Sequence, residues 1–148
     1  MENKEYDVII IGAWPAGLSS AIYLGRAHKK TLLIHKGPMR TSLAKHINNY
    51  LGFKEISGND LIETGLEQTK KYNVEILLST VKNISKNKNF KVTTSTNSFS
   101  SKYIIVASGI NDILSKIDNI FEFIGETFFT CLDCDGYRLT NKNVFIIG

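Results

Sequence analysis

Hydrophobic positions along this chain fall into short solid runs separated by helical or irregular stretches. Tyr6-Asp7-Val8-Ile9-Ile10-Ile11 is rich in β-branched residues and ends at Gly12, the pattern of a strand buried on both faces of a parallel sheet. From Pro15 the period turns helical. Proline suits a first helical turn, and Leu18, Ala21, Ile22 and Gly25 share one face. Thr31-Leu32-Leu33-Ile34-His35 is a second run of the strand type, so the chain opens on one βαβ unit. Residues 36–54 have no clean period, and Gly37-Pro38 marks a turn. An irregular stretch of that length in a compact domain is a candidate for function.

Further along, a helix is expected from Asn59 or Asp60 to about Tyr72, then a parallel strand over Val74-Glu75-Ile76-Leu77-Leu78. Val81 to Ser100 reads as short antiparallel strands, turning at Asn87-Lys88-Asn89 and near Asn97. Lys102-Tyr103-Ile104-Ile105-Val106 is the last strong strand of this unit, closed by Ala107-Ser108-Gly109. Ile110 to Phe129 is loosely patterned, as a connection between domains would be, and Val144-Phe145-Ile146-Ile147-Gly148 repeats the opening strand-then-glycine pattern. The expectation is an α/β protein with a parallel sheet and a small antiparallel insertion over residues 1–115. A connection and the start of a second nucleotide-binding domain follow over 116–148.

Composition narrows the function classes. With 148 residues, 43% of them apolar and 22% charged, the chain can bury one good core and the start of another. No apolar run reaches the length of a membrane span. The opening Met1-Glu2-Asn3-Lys4-Glu5 is mixed in charge rather than a cleavable signal, so a cytoplasmic protein is expected. The net charge of +4 comes from lysines scattered among asparagines, as over Lys82 to Lys91. That is the pattern of a solvated surface, not of a nucleic-acid footprint.

Gly12-Ala13-Trp14-Pro15-Ala16-Gly17 stands where a dinucleotide fingerprint belongs, between a strand and a helix. That turn needs glycine first for tightness and glycine last for helix–strand packing. A middle residue without a side chain lets pyrophosphate reach the helix N-terminus. Here the middle residue is Trp14. An indole at that point blocks the phosphate unless the ring swings outward. The end of the second strand also departs from the pattern: His35 and Lys36 replace the usual acidic ribose acceptor, with Arg40 soon after.

The only cysteines, Cys131 and Cys134, are three apart. Without an export signal this spacing points to redox chemistry rather than a secreted disulfide framework. Zinc would need four ligands, and His28, His35 and His46 lie far upstream at no finger-like spacing, so no metal is expected. A Cys-x-x-Cys pair near a helix N-terminus can cycle between dithiol and disulfide, and the carboxyl of Asp135 beside it can move the proton. The blander reading is a structural disulfide or a pair of small buried residues.

Taken together these residues carry a resemblance. Tyr6 to Arg26, Asn49-Tyr50-Leu51-Gly52-Phe53, Ile56-Ser57-Gly58 with Leu61, Ala107-Ser108-Gly109 and Cys131-Leu132-Asp133-Cys134-Asp135-Gly136-Tyr137 resemble, in this order, the N-terminal portion of the thioredoxin reductases. These belong to the class II pyridine nucleotide-disulfide oxidoreductases. The resemblance implies a Rossmann-like FAD-binding unit and an electron path from NADPH through FAD to the Cys131/Cys134 disulfide. From there electrons pass to a protein disulfide such as that of thioredoxin. It implies that Gly12, Pro15, Ala16 and Gly17 surround the FAD pyrophosphate, that Asn49 approaches the flavin, and that Ala107, Ser108 and Gly109 close over the cofactor. Trp14, His35, Lys36 and Val81 complete the cofactor-binding set. Cys134 would be the flavin-proximal sulfur, Cys131 the one that attacks the partner, and Asp135 the acid–base group. The family's Gly-Gly-Gln-Leu segment has no counterpart; Arg40-Thr41-Ser42-Leu43 stands in its neighbourhood. A homodimer is the family's common form.

Most of an NADPH site and the segment that completes the FAD domain are absent from these 148 residues, so a part of a longer enzyme, unable to turn over alone, is expected. The alternative is a non-catalytic or FAD-deficient relative of the same fold, with Trp14 closing the pyrophosphate site.

Overall fold

In the computed structural model, which describes residues 4–37 and 40–147, the chain divides into two compact units. One comprises Met1–Pro38 and Leu61–Gly109, the other Met39–Asp60 and Ile110–Gly148. The turn expected at Gly37-Pro38 and the final Gly148 fall partly or wholly outside the described residues.

The first unit is built on a six-stranded sheet in the order β3-β2-β1-β6-β5-β4. Its strands are β1 (Lys4–Ile11), β2 (Thr31–His35), β3 (Glu75–Leu78), β4 (Asn83–Lys86), β5 (Phe90–Thr93) and β6 (Ser98–Val106). β1 pairs in parallel with β2 and β6, Ile9 facing Leu32 on one side and Ile104 on the other. β2 pairs in parallel with β3, while β4-β5-β6 form the antiparallel part. The sheet is thus the Rossmann-like arrangement the sequence implied, mostly parallel with an antiparallel extension.

Why β1 has to be apolar on both faces is visible in the packing. Val8, Ile10 and Leu33 join Ala13, Leu18, Ala21 and Val74 on one face, and Ile62 and Leu66 pack over them. Leu18 and Ala21 come from α1 (Pro15–Arg26), Ile62 and Leu66 from α2 (Gly58–Lys70). On the opposite face Ile9, Leu32 and Ile34 meet Tyr6, Val92 and Phe99, the last two brought in by the antiparallel strands. Ser57 starts α2: its hydroxyl accepts the Asp60 N–H at 3.1 Å and lies 2.6 Å from the Asp60 carboxylate.

Two differences from the sequence reading have clear causes. β6 starts at Ser98 rather than Lys102, because its polar first half lies between β5, antiparallel, and β1, parallel, while its second half pairs with β1. A strand with two kinds of neighbour need not look apolar along its whole length. Conversely, residues 144–147 form no strand, and Phe145 and Ile146 are almost fully exposed. A strand exists only where a neighbour takes up its backbone hydrogen bonds, and among the described residues nothing pairs with this segment.

The second unit has little regular structure: a 3₁₀ turn at Arg40–Leu43, an antiparallel bridge between Ile47 and Ile56, α3 (Ile120–Phe123), α4 (Leu132–Asp135) and a 3₁₀ turn at Gly136–Leu139. The irregular stretches 36–54 and 110–129 of the sequence reading largely meet here.

Candidate functional site

The turn between β1 and α1 sits at the carboxyl end of the central strand, where ligands of open α/β sheets bind. Gly12 has φ +108°, and a Cβ there would collide with the Ala107 carbonyl oxygen. A Cβ on Gly17 would collide with the carbonyl oxygen of Gly12. The Gly12 N–H donates to the Ile34 carbonyl at 2.8 Å, and the Ala107 N–H to that of Ile11 at 2.8 Å. Three strand ends are drawn together so tightly that only glycine fits at both positions. The first turn of α1 carries no acidic residue and no side-chain cap, which leaves its N–H groups and positive dipole end for an anion.

Trp14 is the N-cap residue of α1, in extended conformation. Its ring does not swing outward. The residue is only 7% exposed, and Cδ1 lies 3.8 Å from where a Cβ on Gly109 would stand. Its indole Nε1 is buried with no hydrogen-bond partner among the described residues. The backbone of the turn therefore suits a dinucleotide pyrophosphate, but the indole bridges the gap between the turn and the 107–109 stretch. With the ring where it lies, the residues present do not fit FAD.

The other residues of the expected cofactor set are dispersed. Pro15 is half-buried, while Ala16, Lys36, Ser108 and Gly109 are exposed. His35 ends β2 half-buried, and desolvation holds its imidazole below the usual value, favouring the neutral ring. Ala107 packs against the core on the helix-covered face and Val81 against the core on the other. Asn49 is exposed in the second unit. The structure thus brings Gly12, Trp14, Gly17, Ala107 and Gly109 together around one turn and does not gather Val81 with them.

Within the second unit, Cys131 and Cys134 form a disulfide with their Cα atoms 5.2 Å apart. Cys131 is the N-cap of the one-turn helix α4, and its sulfur accepts the Cys134 N–H at 3.2 Å. An amide N–H aimed at that sulfur stabilises negative charge on it when the bond opens. Cys134 is exposed and Cys131 half-buried, so a partner can reach the pair.

Three polar ties around this disulfide were not legible in the sequence. Arg40 Nε lies 2.7 Å from the Asp112 carboxylate, and the same guanidinium donates to the Thr130 carbonyl at 3.3 Å. The Thr130 hydroxyl in turn donates to Asp112 at 3.0 Å, closing a network one residue ahead of Cys131. Arg138 Nη1 is 3.4 Å from the Asp135 carboxylate, donates to the Gly125 carbonyl at 3.1 Å, and stacks over Phe129 at 4.8 Å. The Tyr137 hydroxyl donates to the Asn48 amide oxygen at 2.7 Å, leaving the amide nitrogen to donate to the Lys54 carbonyl at 3.1 Å. Each tie joins positions far apart in sequence or depends on a side-chain rotamer, so no local pattern announces it.

The family model of the pyridine nucleotide-disulphide oxidoreductases matches residues 6–148, almost the whole chain. The chain belongs to that family. Among curated relatives it is 33% identical to the thioredoxin reductase of Listeria monocytogenes over 99% of its own length and 47% of that protein's. It is 32% identical to the thioredoxin reductase of Bacillus subtilis, over 99% and 48%. Its fold superimposes on the crystal structure of thioredoxin reductase from Streptococcus pyogenes with a TM-score of 0.86 and 29% identity, covering 91% of this chain and 45% of that one. The chain spans about half the length of the curated relatives it matches. Among the described residues no helix is long and apolar enough to cross a membrane.

Proposed function

We propose that this chain carries the substrate-facing disulfide of a thioredoxin-reductase-like oxidoreductase, with Cys131 and Cys134 exchanging electrons with a disulfide on a thioredoxin-like protein. The observation that carries the reading is an accessible Cys-x-x-Cys disulfide at the start of a helical turn, in a chain of this family. In the reduced pair, the Cys131 thiolate attacks one sulfur of the partner disulfide, forming a mixed disulfide and releasing one partner thiolate. The Cys134 thiolate then attacks the Cys131 sulfur, which re-forms the Cys131–Cys134 bond and releases the second partner thiolate. Two electrons pass to the partner, and Asp135, beside Cys134 in the chain, supplies or takes up the proton. Arg138 holds the Asp135 carboxylate in place.

In this reading NADPH is the electron source, as the resemblance implies, the working protein is a cytoplasmic homodimer, and FAD takes its place at the turn only with the Trp14 ring displaced. Residues 116–148 are the start of its pyridine-nucleotide domain. The buried indole of Trp14 favours a second reading, in which the cysteines cycle while the turn at Gly12 holds no flavin.

Trapping tests the exchange without any cofactor. In the full-length protein, Cys134→Ser should accumulate a mixed disulfide between Cys131 and oxidised thioredoxin, seen by mass spectrometry, and Cys131→Ser should not. Asp135→Asn should slow exchange by about 10²-fold or more. Equal trapping by both cysteine variants, or cysteines that resist alkylation under strong reductant, would refute the assignment.

A further inference from the structure

We infer that Trp14 is a steric gate on the dinucleotide turn: its ring and the pyrophosphate of a flavin dinucleotide compete for the same space, so the dinucleotide binds only when the indole leaves. The inference rests on the family's placement of a dinucleotide at Gly12–Gly17, but not on the redox role of the cysteines.

Three observations converge on it. The turn itself is intact, since Gly12 and Gly17 make the close approaches such a turn requires and the first turn of α1 has no competing cap. The one residue at which the turn must stay open is filled, and filled inward: Trp14 is 7% exposed and reaches across to Gly109. That contact links the two stretches, 12–17 and 107–109, that the resemblance assigns to opposite sides of the cofactor.

The third observation concerns poise. Nε1 is buried without an acceptor among the described residues, and an unpaired buried donor loses the hydrogen bond it would make to water. Apolar packing holds the ring in, while the indole N–H favours its release. A swung-out ring regains water at Nε1 and clears the path to the first-turn N–H groups of α1. A plain apolar plug would have no such opposing force.

The test is calorimetric titration of FAD into nucleotide-free full-length protein, comparing wild type with Trp14→Gly and Trp14→Ala. Circular dichroism confirms that each variant is folded. Both variants should bind FAD at least about tenfold more tightly than wild type, a difference of ~1.4 kcal/mol. The emission attributable to Trp14, taken as the difference between wild type and Trp14→Phe, should be that of a buried ring in the free protein and of a hydrated ring at FAD saturation. This second measurement holds even where a small residue at position 14 prevents folding. Equal FAD affinity across the three proteins, failure of all three to bind, or buried-ring emission at saturation would overturn the gate. Trapping at Cys131 is scored without flavin, so the gate and the disulfide assignment can fail separately.

Discussion

Replacing Gly12 by alanine probes the convergence of β1, β2 and β6 more directly than any core truncation. Two costs act at once. Gly12 has φ +108°, a backbone conformation that costs a residue with a Cβ roughly 1–3 kcal/mol. The new methyl group would also overlap the Ala107 carbonyl oxygen and press on the Ser108 Cα at 3.0 Å. Both neighbours are backbone, so no side chain can rotate away. Relief requires the end of β6 to part from β1, at the expense of the Ala107-to-Ile11 hydrogen bond, worth about 1 kcal/mol. Overpacking adds about 1–3 kcal/mol. The sum is about 3–7 kcal/mol, a large share of the roughly 5–15 kcal/mol that holds a domain folded.

Gly37→Ala is the control within the same unit. Its φ of +103° carries similar backbone strain, but the nearest atom to its Cβ is Leu78 Cδ1 at an ordinary 3.8 Å. Urea unfolding of both variants, with ΔG extrapolated to water, should place Gly12→Ala at least about 2 kcal/mol below Gly37→Ala. Equal destabilisation would mean that φ alone explains Gly12, and that the strand ends are not in close contact.

Tyr6 offers a pH-dependent test. Burial first, then its 2.9 Å hydrogen bond to Glu75, pushes its hydroxyl up to about 12. A group raised in the folded state contributes stability that is complete below its unfolded value near 10 and lost as pH rises towards 12. Thermal melts should therefore show alkaline destabilisation across that window. Tyr6→Phe, which keeps the edge-on contact with Phe99, should reduce it, the raised Lys4 and Lys102 accounting for the remainder, and cost about 1 kcal/mol at neutral pH. Ser57→Ala removes the cap on α2 and should lower stability by about 1 kcal/mol in the same urea assay. Ser57→Asn should retain most of it.

The fold was legible wherever burial was two-sided and local. The β1 and β2 runs are apolar at nearly every position because the sheet is covered on one face by α1 and α2 and on the other by Tyr6, Val92 and Phe99. The opening glycine pattern located the β1–α1 turn for the same reason, since the requirement at Gly12 and Gly17 is a property of the backbone. The first half of β6 was illegible because Ser98, Ser100 and Ser101 belong to a strand by virtue of their partners in β5 and β1, not of their side chains. Val144–Ile147 shows the converse, a strand-like composition with no pairing strand among the described residues.

The candidate site divides along the same line, between what a residue is and what stands next to it. Three-residue spacing pointed to redox chemistry, and the disulfide itself was what the resemblance implied. Of the groups that hold its flanks, Arg40 meets Asp112 and Thr130 only after the second unit has folded, and Arg138 reaches Asp135 through a rotamer across one local turn. Trp14 is the sharpest case. Its identity marks the turn as unusual, but its consequence depends on whether the ring points to water or to the protein. The ring lies inward, 7% exposed, with Cδ1 near Gly109, 95 positions further along the chain. A methyl group at residue 109 would meet Trp14 Cδ1 at an ordinary 3.8 Å, so the φ of +66° there, rather than the indole, is what calls for glycine, and the inward ring is a consequence of the fold that no local pattern announces.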